Sequence, residues 1–433
     1  MPLRDLAIFI IVFGLLPVVF RHPHVGILLW SWLSYMNPHR LSWGPAYDFP
    51  FAQTVALVLF SALLFTGERL ALPKKPVIFI WLLFLIWMGV TTLAAWYPDA
   101  ALDYYIVILK IQTVTFLTML LINNRERIDQ LIWIIVISIG YYSIKGGIFT
   151  ITTGGAYRVW GPSQSFIGGN NEIALASLMI LPLMEYLRQV SGNRWVKYGL
   201  IAGMALSLVS AVGSQSRGAL LAVLSVAGFF WLKSNRKAVW AVAILLALPA
   251  VFLSMPSTWE MRMDTIGNYQ NDESAMGRIN SWGFAINVAD ARITGGGLEC
   301  WEPAPFAIYA PDHTIKVLVA HSIYFSVLGE HGWIGLLLWS LIYLSTWRSA
   351  TWVIRHARGV EDLSWAVILA RMIQVGLVAY FTGGAFLSLA YFDLPWHYMA
   401  VILMLRVISE QRLGEMARER VASGEKALFG RGA

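Results

Sequence analysis

The sequence predicts an all-α polytopic membrane protein of about twelve transmembrane helices with one large outer loop. Three observations carry that reading. First, of 433 residues 58% are hydrophobic and 13% charged, and the mean hydropathy is +0.62, which leaves too little polar surface to clothe a water-soluble fold. Second, apolar runs long enough to cross about 30 Å of hydrocarbon recur along the chain. Third, basic residues collect in every second connection between those runs. The formal charge of +7 is therefore spread over short loops on one side of a membrane, which excludes nucleic acid as a partner. A single cysteine, Cys300, excludes an internal disulfide.

Taken in order, Leu3 to Phe20 and Val25 to Met36 flank Arg21-His22-Pro23-His24. No small-residue cleavage site precedes this break, so the first run reads as an uncleaved anchor. Eleven runs follow, at 51–66, 77–95, 104–122, 130–150, 171–187, 197–213, 219–232, 238–254, 319–347, 363–390 and 395–411. Basic clusters at Arg69, Lys74 and Lys75, at Arg125 and Arg127, at Arg188, Arg194 and Lys197, at Lys233, Arg236 and Lys237, at Arg348, Arg355 and Arg358, and along the tail from Arg406 all fall on one side, the cytoplasm. With the N-terminus on that side too, parity makes the first two runs a single crossing and the total twelve. Residues 1–254 then hold the first ten apolar helices, 255–318 an outer loop domain, 319–411 the C-terminal transmembrane helices, and 412–433 a cytoplasmic tail whose alternating charge needs only a solvated helix or disorder. Within the loop, Ile279, Trp282, Ile286 and Ala289 recur at helical spacing and predict an amphipathic helix lying on the membrane.

Chemistry-bearing residues concentrate on the outer side. In Ala320 to Gly335, AHSIYFSVLGEHGWIG, Gly332 follows His321 by eleven positions, so an ideal helix places it nearly under the imidazole with Gly335 on the same face. One reading is a base above a smooth groove; the other is an interfacial histidine above packing glycines. His331 points elsewhere and reads as a buried, hydrogen-bonded histidine, and His313 as a loop residue. Arg158 lies before a helix that Asn170 or Asn171 caps, Arg217 follows Ser214 and Ser216, which could cap the next helix, and Arg278 opens the loop helix. An arginine in a first helical turn opposes the macrodipole unless an anion is held there. Helix N-termini with guanidinium forks suit a diphosphate; the competing reading is snorkelling to headgroups, or pairing with Asp272 or Glu273. The outer carboxylates show no metal-ligand spacing, and no cofactor or divalent cation is predicted.

His321-Ser322, nine residues, Gly332, two residues, Gly335 resembles the histidine motif of the bacterial O-antigen ligase superfamily, which also includes polymerases and protein O-glycosylation ligases. SQSRGALLA around Arg217, the loop with Arg158 and GRINSW around Arg278 resemble its arginine-bearing segments, over about Tyr157 to Trp396. PHRLSWGPAYDFPFA is similar to the exosortase-associated branch, and Gly169 stands where such proteins often have proline. The resemblance implies a membrane glycosyltransferase fold of the C type, in the inner membrane with its site facing the periplasm. It implies metal-independent transfer of a glycan from undecaprenyl diphosphate to a sugar of lipid A-core by a monomer. On that pattern His321 and Arg217 are catalytic, and Arg158, Arg278, Gly332 and Gly335 bind substrate. A polymerase or protein ligase would share the donor. A transporter of polyprenyl-linked sugars is the reading from another class, and it calls for polar residues and broken helices in mid-membrane.

Overall fold

The computed structural model describes residues 2–67, 70–233 and 273–422. The described helices are α1 Leu3–Arg21, α2 Pro23–Met36, α3 Phe51–Phe65, α4 Pro76–Leu93, α5 Pro98–Leu121, α6 Arg125–Thr152, α7 Asn170–Val190, α8 Arg194–Gly213, α9 Arg217–Lys233, α10 Glu273–Ala291, α11 Pro303–Tyr309, α12 Ile323–His356, α13 Ser364–Gly384 and α14 Asp393–Ala422. The run at 238–254, the loop as far as residue 272, Arg69, Arg236, Lys237, Asp272 and the tail from 423 lie outside the described residues. Eight described helices are long and apolar enough to cross a membrane, and α3 and α9 carry shorter apolar stretches. The protein is thus a helical, multi-pass membrane protein.

Local chemistry explains the helix starts. Proline occupies the first turn of α2, α4, α5 and α11, where its missing N–H costs nothing. Asn124 caps α6 by accepting from the Arg127 N–H at 3.0 Å, Asn193 caps α8 through Trp195 N–H at 2.8 Å, and Ser216 caps α9 through Ala219 N–H at 3.1 Å. Helix α7 is buried continuously from Ile173 to Met184, as befits a helix apolar on every side. It packs against α6, α8, α9 and α13 and forms the centre of the bundle. The basic connections meet at one end: Lys75 pairs with Glu410, Arg406 reaches Glu410 at 3.0 Å and Ser349 at 3.1 Å, and Arg412 reaches Asp362 at 2.7 Å.

The first two runs do not make the single crossing expected of them. The Arg4 guanidinium donates to Leu41 O at 3.1 Å, and Asp5 Oδ1 accepts from Ala46 N–H at 2.9 Å, so the start of α1 lies beside the connection that follows α2. The two helices form an antiparallel hairpin, broken at His22 because Pro23 restricts the residue before it. At the other end Phe20 lies 5.9 Å from Phe65 between ring centroids, so the α1–α2 break sits beside the end of α3.

Helix α12 is broken. Gly332 has φ 65° and ψ −172°, a region essentially reserved for glycine, and a Cβ there would overlap the carbonyl oxygen of Ile293. The break frees carbonyls that hydrocarbon cannot solvate. Each finds a donor from another segment: Gly329 O from Gly296 N–H at 2.8 Å, Glu330 O from Gly297 N–H at 3.0 Å, and His331 O from Trp87 Nε1 at 2.9 Å.

Residues 273–320 form a cap over this break, with a satellite core of Phe284, Val288, Cys300, Phe306 and Ala310. Phe284 stacks on Phe306 at 4.1 Å between ring centroids. Helix α10 buries Gly277, Asn280, Ser281, Phe284, Ala285, Val288 and Ala289 against α12 and the cap, while Ile279 and Ile286 are exposed. Of the expected stripe, Ile279 and Ile286 are exposed and Ala289 is buried, while small residues on the other face admit the close neighbour. The cap is also fastened to the α4–α5 turn, where Arg292 donates to Ala94 O at 2.7 Å and stacks on Trp96, and Trp96 N–H donates to Gly296 O at 3.1 Å.

Two outcomes follow. An epitope placed before Leu3 and one inserted at the exposed Trp43 are expected on the same membrane side in a protease-accessibility assay; opposite sides would rule out the hairpin. Gly332→Ala is expected to cost about 1–3 kcal/mol from backbone strain alone and to lower Tm. Gly14→Ala, whose Cβ meets open space, should leave Tm unchanged within about 0.5 kcal/mol; equal Tm values for the two variants would refute the account of the break.

Candidate active site

His321 sits one residue before the Ser322 N-cap of α12, in a left-handed conformation with φ 43°. It is outside the helix, and Gly332 breaks the helix below it, so the expected alignment of His321, Gly332 and Gly335 on one face does not occur. The ideal-helix arithmetic fails at both ends of the interval. Gly332 is pressed against the backbone of Ile293 and Gly295, and a Cβ on Gly335 would strike His331 and approach Trp87. The space at Gly332 is filled by the backbone of Ile293 and Gly295 rather than by an open groove.

The imidazole is placed by the cap. Asn280 of α10 exchanges two hydrogen bonds with the Asp312 backbone, each 2.9 Å. Ser281 Oγ donates to Leu318 O at 2.7 Å and Trp282 Nε1 to Ala320 O at 2.8 Å. Trp282 also stacks on Phe325, the third residue of α12, at 5.1 Å and 12°. These bonds hold residues 312–320 along α10 and deliver His321 next to Arg278. Helix α10 begins at Glu273, so Arg278 lies in its second turn rather than opening it, and the dipole argument made for it does not apply.

Arg278 acts electrostatically on two partners, His321 and the Glu172 carboxylate in the first turn of α7. Glu172 belongs to another helix, so local sequence reasoning could not supply it as a neighbour. Burial, and then the Arg278 guanidinium, lower the His321 pKa from 6.5 to about 4. The imidazole is therefore neutral at pH 7 and able to accept a proton as one is released nearby.

The N-termini of α7 and α9 lie side by side. Asn170 does not cap α7, whose N-cap is Gly169; its Nδ2 donates instead to Ser214 O at 2.8 Å, in the turn that leads to Arg217. Arg217 is the first residue of α9. Val159 N–H, beside the half-buried Arg158, donates to Gly213 O at 3.3 Å, which brings that loop to the same turn. So Arg158 and Arg217 belong to segments joined at one turn, and Arg278 is linked to them through Glu172, two residues after Asn170.

A buried polar chain underlies the cap. Glu330 accepts from Trp301 Nε1 at 3.0 Å and from the Tyr391 hydroxyl at 2.6 Å; that hydroxyl lies 2.8 Å from His331 Nε2, and His331 Nδ1 lies 2.7 Å from Thr91 Oγ1. Thr91 Oγ1 also donates to Met88 O, at 2.9 Å, within α4. His331 is fully buried and hydrogen-bonded, as its position in the apolar run implied. The signal missed in the sequence was the Glu-His pair inside an otherwise apolar run.

Residues 202–340, which contain Arg217, Arg278 and His321, match the family described as O-Antigen ligase. That match supports membership of the O-antigen ligase family. Residues 3–192 match a family of unknown function (DUF5935), and no curated protein matches the chain. The O-antigen ligase domain gives the protein a glycosyltransferase-type activity of the ligase and polymerase kind, with polyprenyl-linked glycan and lipid acceptor as the general class of partners.

The His321 ring is expected to titrate near pH 4 by NMR in the purified protein, and Arg278→Gln to move that midpoint upward but short of 6.5, since burial persists. Because the folded pKa lies below the unfolded one, His321's contribution to stability is complete above pH 6.5 and is lost as pH falls toward 4. A wild-type midpoint at 6.5 would contradict the buried placement.

Proposed function

We propose that this protein is an O-antigen ligase that transfers a polysaccharide from undecaprenyl diphosphate to a sugar hydroxyl of lipid A-core, at the periplasmic face of the bacterial inner membrane. The observation that supports it best is the neutral His321 held beside Arg278 within the O-antigen ligase domain, with Arg217 at the helix start nearest the α7 terminus. In the reaction a bond forms between the acceptor oxygen and the anomeric carbon, and the bond from that carbon to the diphosphate breaks. The acceptor proton passes to His321, which acts as general base. The departing diphosphate gains negative charge that Arg217, Arg278 and Arg158 stabilise, aided by the N–H groups that open α9. Attack opposite the diphosphate inverts the anomeric centre. Glu172 keeps the Arg278 guanidinium in place and is a positioning residue in this scheme.

Gly332 and Gly335 serve the site by letting the 293–297 segment and Trp87 close on α12. Twelve or more crossings, with the described cap on the periplasmic side, accord with the basic connections gathered at the opposite end.

The test is transfer from a defined undecaprenyl-diphosphate glycan to purified lipid A-core in detergent with EDTA present. Wild type is expected to form product, and His321→Ala to lose about 10²–10⁴-fold in rate, the usual worth of a general base, with its Tm retained. Full activity of His321→Ala would remove it as the base. Elongated donor, or a labelled protein, in place of modified lipid A-core would reassign the acceptor to the polymerase or protein-ligase branch.

A further inference from the structure

Helix α5 carries a charge that the transfer reaction does not use. Lys110 lies in the middle of this apolar helix, on a stripe shared with Ile106 and Val107, which are both exposed. That stripe faces the surroundings of the bundle, where lipid chains lie. Lys110 has no hydrogen bond or ion pair among the described residues. A cation at such a position is expensive unless an anion reaches it. It does not stand alone, because it lines a cavity of about 260 Å³ with Trp30 of α2 and with His39, Arg40, Asp48 and Phe49 of the α2–α3 connection.

The charges of that lining can be summed. Arg40 is paired with Asp48 at 3.2 Å and lies over the Tyr47 ring at 4.6 Å. Asp48 is largely exposed, at 86%. His39 is neutral, held so by burial and by Arg40. Two cations and one carboxylate leave a net single positive charge, which a phosphodiester's single negative charge would balance. Rings and apolar side chains supply the remaining wall. Gln53 of α3 also borders the cavity, and the exposed Leu57, Phe60 and Leu64 continue from it along the same helix, a track for an acyl chain.

We propose that this cavity holds an anionic phospholipid, with its phosphodiester between Lys110 and Arg40 and its acyl chain along the exposed face of α3. The chemistry favours a lipid over a free phosphate, because Lys110 sits in a lipid-facing stripe and the walls are largely apolar. The site is independent of the glycosyl transfer, and its test reads binding rather than activity.

The experiment uses the full chain, delipidated in detergent, with native mass spectrometry against phosphatidylglycerol and phosphatidylcholine of matched chains. Wild type is expected to prefer phosphatidylglycerol. Lys110→Met should weaken that binding about fivefold, the worth of one lysine near a lipid phosphate, while Lys110→Arg retains it. Asp48→Asn, at an exposed position that folding tolerates, should tighten it by freeing Arg40. Equal binding of the two lipids by wild type, unchanged binding in both Lys110→Met and Asp48→Asn, or displacement of the lipid by millimolar inorganic phosphate would each overturn the proposal.

Discussion

The break in α12 is the constraint on which the rest of the site depends. A helix interrupted inside a bundle exposes carbonyls that neither lipid nor apolar side chains can satisfy. Here the three carbonyls of Gly329, Glu330 and His331 are taken up by Gly296, Gly297 and Trp87. Two of these donors belong to the cap and one to α4, so one irregular residue joins three parts of the chain. Gly332 permits the conformation, and the 293–297 backbone occupies the space that a side chain there would need. The Trp301–Glu330–Tyr391–His331–Thr91 chain adds a second set of bonds across the same junction.

The cap, fixed in this way, sets the electrostatics above it. Helix α10 is bound along one side to the 312–320 segment, and the same helix carries Arg278 toward His321 and Glu172. Burial, and then this guanidinium, keep the imidazole neutral, while the same guanidinium faces the Glu172 side chain. A neutral base and a fixed cation on one helix-bound frame are the two charge states that transfer to an oxygen nucleophile with an anionic leaving group requires.

Much of the fold was legible because hydrophobic length and basic loops act over whole segments. The runs at 77–95, 104–122, 130–150 and 171–187 correspond closely to α4, α5, α6 and α7. The Ser216 cap and the buried state of His331 were readable from neighbours a few residues away. What failed depended on distant partners. The α1–α2 hairpin is revealed by Arg4 with Leu41 and by Asp5 with Ala46, not by either run alone. Asn170 looked like a cap but found a better acceptor at Ser214. The apolar stripe of α10 was legible from spacing, but the face that packs, through Gly277, Ser281 and Ala285, was not, because small residues give no hydrophobic signal. His321 and Arg278 were singled out by type and spacing, but Glu172 as a neighbour of Arg278, and Tyr391 as a neighbour of Glu330 and His331, appear only in the tertiary structure. The family's motif gives the residues; the helix break that positions them is written in backbone angles.

The hydrogen bonds from Trp87 and Thr91 of α4 to His331 join residues 244 and 240 positions apart. During synthesis at about 5–20 residues per second, α4 precedes its partner by roughly 12–50 s. Throughout that interval the Trp87 indole N–H waits for an acceptor that is not yet made, while Thr91 already donates to Met88 O of its own helix. Closure of the α12 break is therefore a late event of biogenesis, and a chain released before α12 is inserted would hold most of its helices without the junction on which the cap rests.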